Sequence, residues 1–170
     1  MKSKNKIINR VAKSSLLNLN ISDYAPKEDI ELLDVKIFLS EDLVLKERVF
    51  RENLKKFDFS IYKNKTVAVY YSSEYIVPMW AFMLISTYLN HFTDDFYYGS
   101  KKDVFQKLFL KNIEKINVSV FKNKKVIING CSDISINEEL YLSISKKIQP
   151  YVNSLMFGEA CSSVPIYKKK

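Results

Sequence analysis

Apolar residues recur with two different spacings in the C-terminal half of the chain. Residues 66–72 form a short run rich in valine and tyrosine, which is typical of a strand. Residues 76–89 have the length and apolar spacing of a core helix, with Pro78 tolerated in its first turn. Three more strands are predicted by the same criteria, at residues 94–98, 125–129 and 152–157. Strands and helices therefore alternate through this half of the chain.

Helix starts between these strands are marked by serine followed three residues later by an acid. Ser100 with Asp103, and Ser135 with Glu138, have the spacing of a capping box, in which two side chains bond the free N–H groups of the first turn. Pro150 is expected to close the second of these helices.

This alternation predicts an α/β fold with a mostly parallel sheet, because strands joined through helices pair in parallel with right-handed crossovers. We expect one domain over residues 1–170, with a βαβαβαβ core at residues 61–170 and an N-terminal helix and edge strands at residues 1–60. The predicted N-terminal elements are a helix at residues 6–12, strands at 17–21 and 30–39, and a helix at 46–57. No internal repeat is predicted.

Composition supports a folded protein, since 47% of the 170 residues are hydrophobic. The longest apolar stretch, residues 76–89, is shorter than the roughly 18 to 20 residues that span a bilayer. The N-terminus is basic but lacks the apolar block of a signal peptide. We therefore expect a cytoplasmic protein that does not enter the membrane.

The net charge of +8 first suggests nucleic-acid binding, but the basic residues argue against it. Arginine occurs only at positions 10, 48 and 51, and the other basic residues are lysines spread along the chain beside acids. Specific contacts to phosphates and bases favour arginine, and no nucleic-acid-binding motif is present. A general lysine bias explains the charge, and the run at residues 168–170 is interpreted as a frayed end.

The candidate functional residues lie in the loops that follow the four predicted strands, because ligands of open α/β sheets bind at the carboxyl ends of the strands. Each of the three glycines, Gly99, Gly130 and Gly158, directly follows a predicted strand. If the strands form one sheet, both cysteines of the chain fall on the same edge. The candidate residues in these loops are Glu74, Cys131, Ser132, Glu159, Cys161 and Ser162.

Cys131 and Cys161 carry the main chemical hypothesis. In a reducing compartment, two cysteines are typical of free thiols, metal ligands or redox groups. Two thiolates with Glu159 or Glu74 would suit zinc, iron or an iron–sulfur cluster, although no CxxC spacing is present. The other interpretations are sulfur transfer or redox exchange between the two thiols, and simple packing of small buried side chains.

Four segments resemble an uncharacterised bacterial family, domain of unknown function 2480, and the resemblance runs nearly end to end. They are residues 43–51 (LVLKERVFR), 76–84 (IVPMWAFML), 130–132 (GCS) and 155–168 (LMFGEACSSVPIYK). The chain departs from the family pattern at Phe82, Ala160 and Ser163, where tyrosine, proline and threonine are common. The resemblance implies no activity. It implies an association with iron–sulfur assembly of the SUF type and with SUF proteins as partners.

Three functions follow as hypotheses. The first is an accessory protein of iron–sulfur or sulfur metabolism that uses Cys131, Cys161 and Glu159 to hold a metal, cluster or persulfide transiently. The second is a non-catalytic binding or scaffold domain whose basic surface meets an acidic partner. The third is an enzyme for a small anionic substrate bound at helix N-termini. The sequence does not decide whether the protein is an enzyme.

Overall fold

The computed structural model describes residues 16–40, 45–72, 76–130 and 136–170. Within these residues the chain forms seven strands and four α-helices. Its contacts divide into two compact units. The continuous unit is Pro26–Leu108, and the split unit combines Met1–Ala25 with Phe109–Lys170.

The continuous unit contains a three-stranded parallel sheet in the order β2-β3-β4. These strands are β2 (Ile30–Asp34), β3 (Thr66–Tyr70) and β4 (Phe96–Tyr98). Helices α1 (Glu47–Lys56) and α2 (Met79–Leu89) bury one face each in a core that contains Leu33, Phe38 and Phe50. The side chains of Phe38 and Phe50 meet edge to face, with ring centroids 6.0 Å apart.

The split unit contains a four-stranded sheet in the order β1-β5-β6-β7. Its strands are β1 (Leu16–Asn20), β5 (Lys125–Asn129), β6 (Ser154–Phe157) and β7 (Val164–Lys168). The first three are parallel and β7 is antiparallel to β6. Helix α4 (Glu138–Ile148) buries Leu140, Ile144 and Ile148, which recur every four residues on one face.

Helix α3 (Lys101–Glu114) contains the boundary between the two units, which falls between Leu108 and Phe109. Its predicted capping box is confirmed. The Ser100 backbone N–H donates to Asp103 Oδ2 at 2.8 Å, and the Asp103 N–H donates to Ser100 Oγ at 3.2 Å.

The two units repeat the same arrangement at positions 59 residues apart. Thr66–Tyr70 corresponds to Lys125–Asn129, and Met79–Leu89 to Glu138–Ile148. Ahead of each of these strands, an asparagine with positive φ donates its backbone N–H to a distant carbonyl. Asn64 (φ 58°) bonds Phe92 O, and Asn123 (φ 59°) bonds Tyr151 O, again 59 residues on.

The repeat extends to the first strand of each unit, although that strand comes from a different part of the chain. β2 pairs with β3 as β1 pairs with β5. A short 3₁₀ turn follows each strand, and Asp34 and Asn20 cap these turns by accepting backbone N–H groups at 2.9 and 3.1 Å. The expectation of no internal repeat is therefore wrong.

The α/β class and the mostly parallel pairing are confirmed, but the strands lie in two sheets rather than one. The predicted strand at residues 125–129 is correct to the residue. The long strand predicted at 30–39 ends at Asp34, because the 3₁₀ turn Val35–Phe38 follows. β7 was not predicted, and the predicted helix at residues 6–12 lies outside the described residues.

Candidate functional site

The candidate site lies at the carboxyl ends of β5 and β6 in the split unit. These strands are neighbours and parallel, with Ile128 opposite Phe157, so both end at the same edge of the sheet. Gly130 follows β5 directly, and a Cβ added there would lie 2.7 Å from Tyr141 Oη, so a larger residue would displace the end of that side chain. Cys131 and Ser132 come next in the chain but lie outside the described residues.

The loop after β6 begins at a glycine with φ 106°, a conformation that other residues adopt only with strain. Gly158 N donates to Ile128 O at 2.9 Å, which extends the pairing with β5 by one bond. Ser162 N then donates to Glu159 O at 2.9 Å, so residues 159–162 form a tight turn. This turn places Cys161 on the surface as a free, exposed thiol.

Asn129, the last residue of β5, connects the strand end to this turn. Its Nδ2 donates to Glu159 Oε1 at 3.3 Å. Its Oδ1 is buried and has no hydrogen-bond partner among the described residues. Sequence reasoning missed Asn129, although a polar residue at the end of an otherwise apolar buried strand is a signal for such a role.

Cys161 and Ser162 are adjacent, and their side chains point toward each other. The distance from Cys161 Sγ to Ser162 Oγ is 4.0 Å, which is a long contact even for a sulfur hydrogen bond. The Ser163 hydroxyl is used elsewhere, since its Oγ lies 3.8 Å from Met156 Sδ. Ser162 is thus the serine whose hydroxyl is recorded next to the thiol.

The donor atoms described at this edge are the Cys161 thiol and the Glu159 carboxylate. No group of three or more His, Cys, Asp or Glu side chains comes together in the part of the chain that the structure describes. A metal or cluster site here needs at least one more donor. The third donor predicted from the sequence is Cys131, which lies outside the described residues.

The strand ends of the continuous unit form a separate edge with different chemistry. Glu74 lies outside the described residues. Ser72 Oγ donates to Asp34 Oδ2 at 2.5 Å, at the carboxyl ends of β3 and β2. Burial alone would raise the pKa of Asp34, but hydrogen bonds from Ser72, the Lys36 N–H and Tyr70 outweigh it and hold that pKa below its ordinary value. The four predicted loops are thus divided between two sheets.

A lysine-rich groove lies at the other end of β5 and β6, and the sequence did not predict it. Lys168 belongs to β7, and Lys169 N donates to Asn153 O at 2.9 Å, so these residues are not a frayed end. The groove has a volume of about 470 Å³. Its charged lining residues are Lys125, Lys168, Lys169 and Lys170.

The described helices were also compared with the requirements of a membrane span. None of them combines the length and apolar composition needed to cross a bilayer.

Comparison with known proteins gives one result. No curated protein and no solved structure matches the chain. A family profile described as "Protein of unknown function (DUF2480)" matches residues 5–169, which include both strand ends of the candidate site. The chain belongs to the DUF2480 family.

Proposed function

We propose that this protein is a thiol-dependent accessory protein of iron–sulfur or sulfur metabolism, acting in the cytoplasm through Cys131 and Cys161. One observation carries the proposal. β5 and β6 are adjacent parallel strands, and each is followed within four residues by one of the two cysteines of the chain. The bond from Asn129 to Glu159 connects the two strand ends.

The donor atoms at this site are thiols and a carboxylate, which supports binding of a metal ion, an iron–sulfur cluster or a persulfide. Thiolates bind zinc, iron and iron–sulfur clusters, and a carboxylate can complete such a ligand set. Glu159 supplies that carboxylate, and Asn129 acts as a positioning residue because its amide donates to Oε1. The metal, cluster or persulfide is the cargo rather than a resident cofactor.

Exposure of Cys161 supports transient holding rather than storage. The thiol is at the surface, where a partner protein can reach it and exchange ligands. A buried structural site would instead enclose its sulfur ligands. Proteins of SUF-type iron–sulfur assembly are the proposed donors or acceptors of the cargo.

The test is elemental analysis for iron, zinc and sulfide, with an absorption spectrum, on protein purified without oxygen. We expect bound metal in the wild type, its loss in Cys131→Ser and Cys161→Ser, and a reduction in Glu159→Gln. Glu139→Gln is the matched control, because Glu139 is an exposed acid on α4 of the same unit. Metal-free protein with unreactive thiols, and unchanged activity of cluster enzymes in cells carrying the double cysteine variant, would refute the proposal.

The lysine-rich groove favours a second function, a binding domain for an acidic partner. Among the described residues, four lysines and no acid line this cavity, so it attracts negative charge. A pull-down discriminates between the two functions. A partner retained by the double cysteine variant but lost in Lys125→Glu with Lys168→Glu would support the binding domain, and loss in the cysteine variant alone would support the thiol function.

A further inference from the structure

The lysine-rich groove of the split unit has a cationic row beside an apolar row. Lys125 of β5 is opposite Ser154 of β6, and Ser154 is opposite Lys168 of β7. These three side chains therefore lie in one row on the same face of the sheet. Met156 and Pro165, opposite each other on β6 and β7, form the next row of that face. A ligand of this groove meets lysines next to an apolar surface.

The equivalent strand ends of the continuous unit contain an acid. Asp95 precedes Ser154 by 59 positions, and Thr66 precedes Lys125 by the same number. Asp95 accepts hydrogen bonds from Thr66 Oγ1 at 2.9 Å and from Tyr97 Oη at 2.7 Å. The continuous unit thus supplies its own carboxylate at this position, whereas the split unit has a serine there and a lysine beside it.

The lysines of the groove are available to a ligand. All four are exposed, and none of them forms an ion pair with another residue in the described part of the chain. Neighbouring strands of a sheet lie about 4.8 Å apart, so the Cα atoms of Lys125 and Lys168, two strands apart, are about 10 Å from each other. The groove can therefore hold two anionic groups at once, one at each of these lysines.

We propose that this groove binds an acidic segment of a partner protein in which a large apolar side chain lies between carboxylates. The proposal rests on the second function proposed above, a binding domain for an acidic partner, and names the kind of segment that is bound. Its carboxylates pair with Lys125 and Lys168, and one of them takes the place that Asp95 fills in the continuous unit. Its apolar side chain packs on Met156 and Pro165.

Other occupants match the groove less well. A second copy of the chain carries a net charge of +8, so it is repelled by a cationic surface. Nucleic acid is bound preferentially through arginine, and no arginine lines the groove among the described residues. A small free anion would pair with the lysines but leave the apolar row exposed to water. An acidic segment with an apolar side chain contacts both rows.

The test is fluorescence anisotropy of a short labelled peptide, Glu-Glu-Phe-Glu-Glu, titrated at low salt with the full chain. We expect saturable binding that weakens as salt is added, because salt screens exposed charge pairs. Glu-Glu-Ala-Glu-Glu should bind at least about fivefold more weakly, since it lacks the aromatic side chain that packs on the apolar row. Lys-Lys-Phe-Lys-Lys should not bind, because its charge has the same sign as that of the groove.

Substitution of the lysines gives a second measurement with the same peptide. Lys125→Gln combined with Lys168→Gln should raise the dissociation constant about five- to tenfold, because two charge pairs are lost. Lys115→Gln combined with Lys146→Gln is the matched control. These two lysines are exposed in the same unit but do not line the groove, and their loss changes the net charge equally. We expect less than about a twofold effect in the control.

The proposal is overturned if Glu-Glu-Phe-Glu-Glu does not bind, if the alanine peptide binds equally well, if the control pair causes an equal loss, or if a single-stranded oligonucleotide binds more tightly. Failure of the binding domain itself would look different. A partner that the pull-down shows to depend on Lys125 and Lys168, without any peptide binding, would keep the domain function and reject the acidic segment. The double cysteine variant should bind the peptide as the wild type does, which separates this test from that of the thiol site.

Discussion

Tyr62 shows how one hydroxyl distinguishes two equivalent positions of the repeat. Tyr62 is buried and its hydroxyl donates to Leu32 O at 3.0 Å, whereas the equivalent residue of the split unit, Phe121, has no hydroxyl. Burial, and secondarily the charge of Glu31, raise the pKa of Tyr62 to about 12. The phenol is therefore held in its neutral, donating form.

Replacing Tyr62 with phenylalanine should lower the free energy of unfolding by about 1 kcal/mol at neutral pH, the usual net value of one hydrogen bond. The folded pKa lies above the unfolded value of about 10, so this contribution is complete below about pH 10 and is lost as pH rises toward 12. Urea unfolding of both proteins at neutral pH and at steps from about 9 to about 12 measures it. A difference that stayed constant over the alkaline steps would contradict the assigned cause.

At the scale of elements, the start of α4 differs from the sequence prediction. The predicted cap was Ser135 with Glu138, but Ser135 lies outside the described residues and Asn137 is the N-cap. Asn137 Oδ1 accepts the Leu140 N–H at 3.2 Å, as asparagine commonly does at this position. Substitution of Asn137 therefore tests how much the N-cap of this helix contributes to stability.

Substituting Asn137 with alanine should destabilise the protein by about 1 kcal/mol, because the Leu140 N–H loses its acceptor. Asn137→Asp is the matched control and should retain most of the stability, since its carboxylate accepts the same N–H and favours a helix N-terminus. Thermal or urea unfolding of the three proteins checks this. Equal loss in both variants would show that the side-chain cap does not contribute.

At the scale of the whole molecule, the repeat predicts that equivalent core positions contribute equally to the free energy of unfolding. Ile85 and Ile144 are 59 positions apart, both are almost fully buried, and both lie at the centre of their helix. Replacing either with alanine should cost about 2 to 5 kcal/mol, through lost burial and the cavity left behind. Leu142→Ala, at an exposed position of α4, should change stability by less than about 0.5 kcal/mol.

Equilibrium urea unfolding gives these values, and hydrogen exchange shows which unit loses protection. Ile85→Ala should increase exchange in β3, and Ile144→Ala in β5. A large cost at one position and a negligible cost at the other would show that the two units do not share a common core design.

Sequence patterns predicted well wherever the structure depends on neighbouring residues. The strand Lys125–Asn129 and the capping box of Ser100 with Asp103 each depend on a few consecutive side chains. In residues 1–60, the predicted strand at 17–21 and helix at 46–57 agree closely with Leu16–Asn20 and Glu47–Lys56. The predicted strand at 30–39 was too long, because a 3₁₀ turn follows Asp34. The repeat was missed because equivalent positions keep buried apolar residues and N-cap residues but seldom the same amino acid. The clearest sequence signal for it is Ser-x-x-Lys-Asn-Lys at residues 60–65 and again at 119–124.

The candidate site was predictable only in part. That the loops carrying Cys131 and Glu159 follow neighbouring strand ends came from the rule that parallel strands end at a common edge. The bond from Asn129 to Glu159 and the lysine-rich groove were not predicted, because they join residues 30 or more positions apart. Their partners depend on strand order, which local periodicity does not contain.

By itself, the sequence determined the α/β class, the parallel pairing, the family and most strands and helices of the C-terminal half. These follow from local periodicity, capping residues and specific motifs, which act over a few neighbouring positions. Only the tertiary structure decided that the strands form two sheets, that β1 joins strands more than 100 positions later, and that β6 pairs with β7 whereas β4 is an edge of its sheet within the described residues. Strand pairing over such distances depends on how whole elements bury their apolar faces together, and no local pattern specifies that choice.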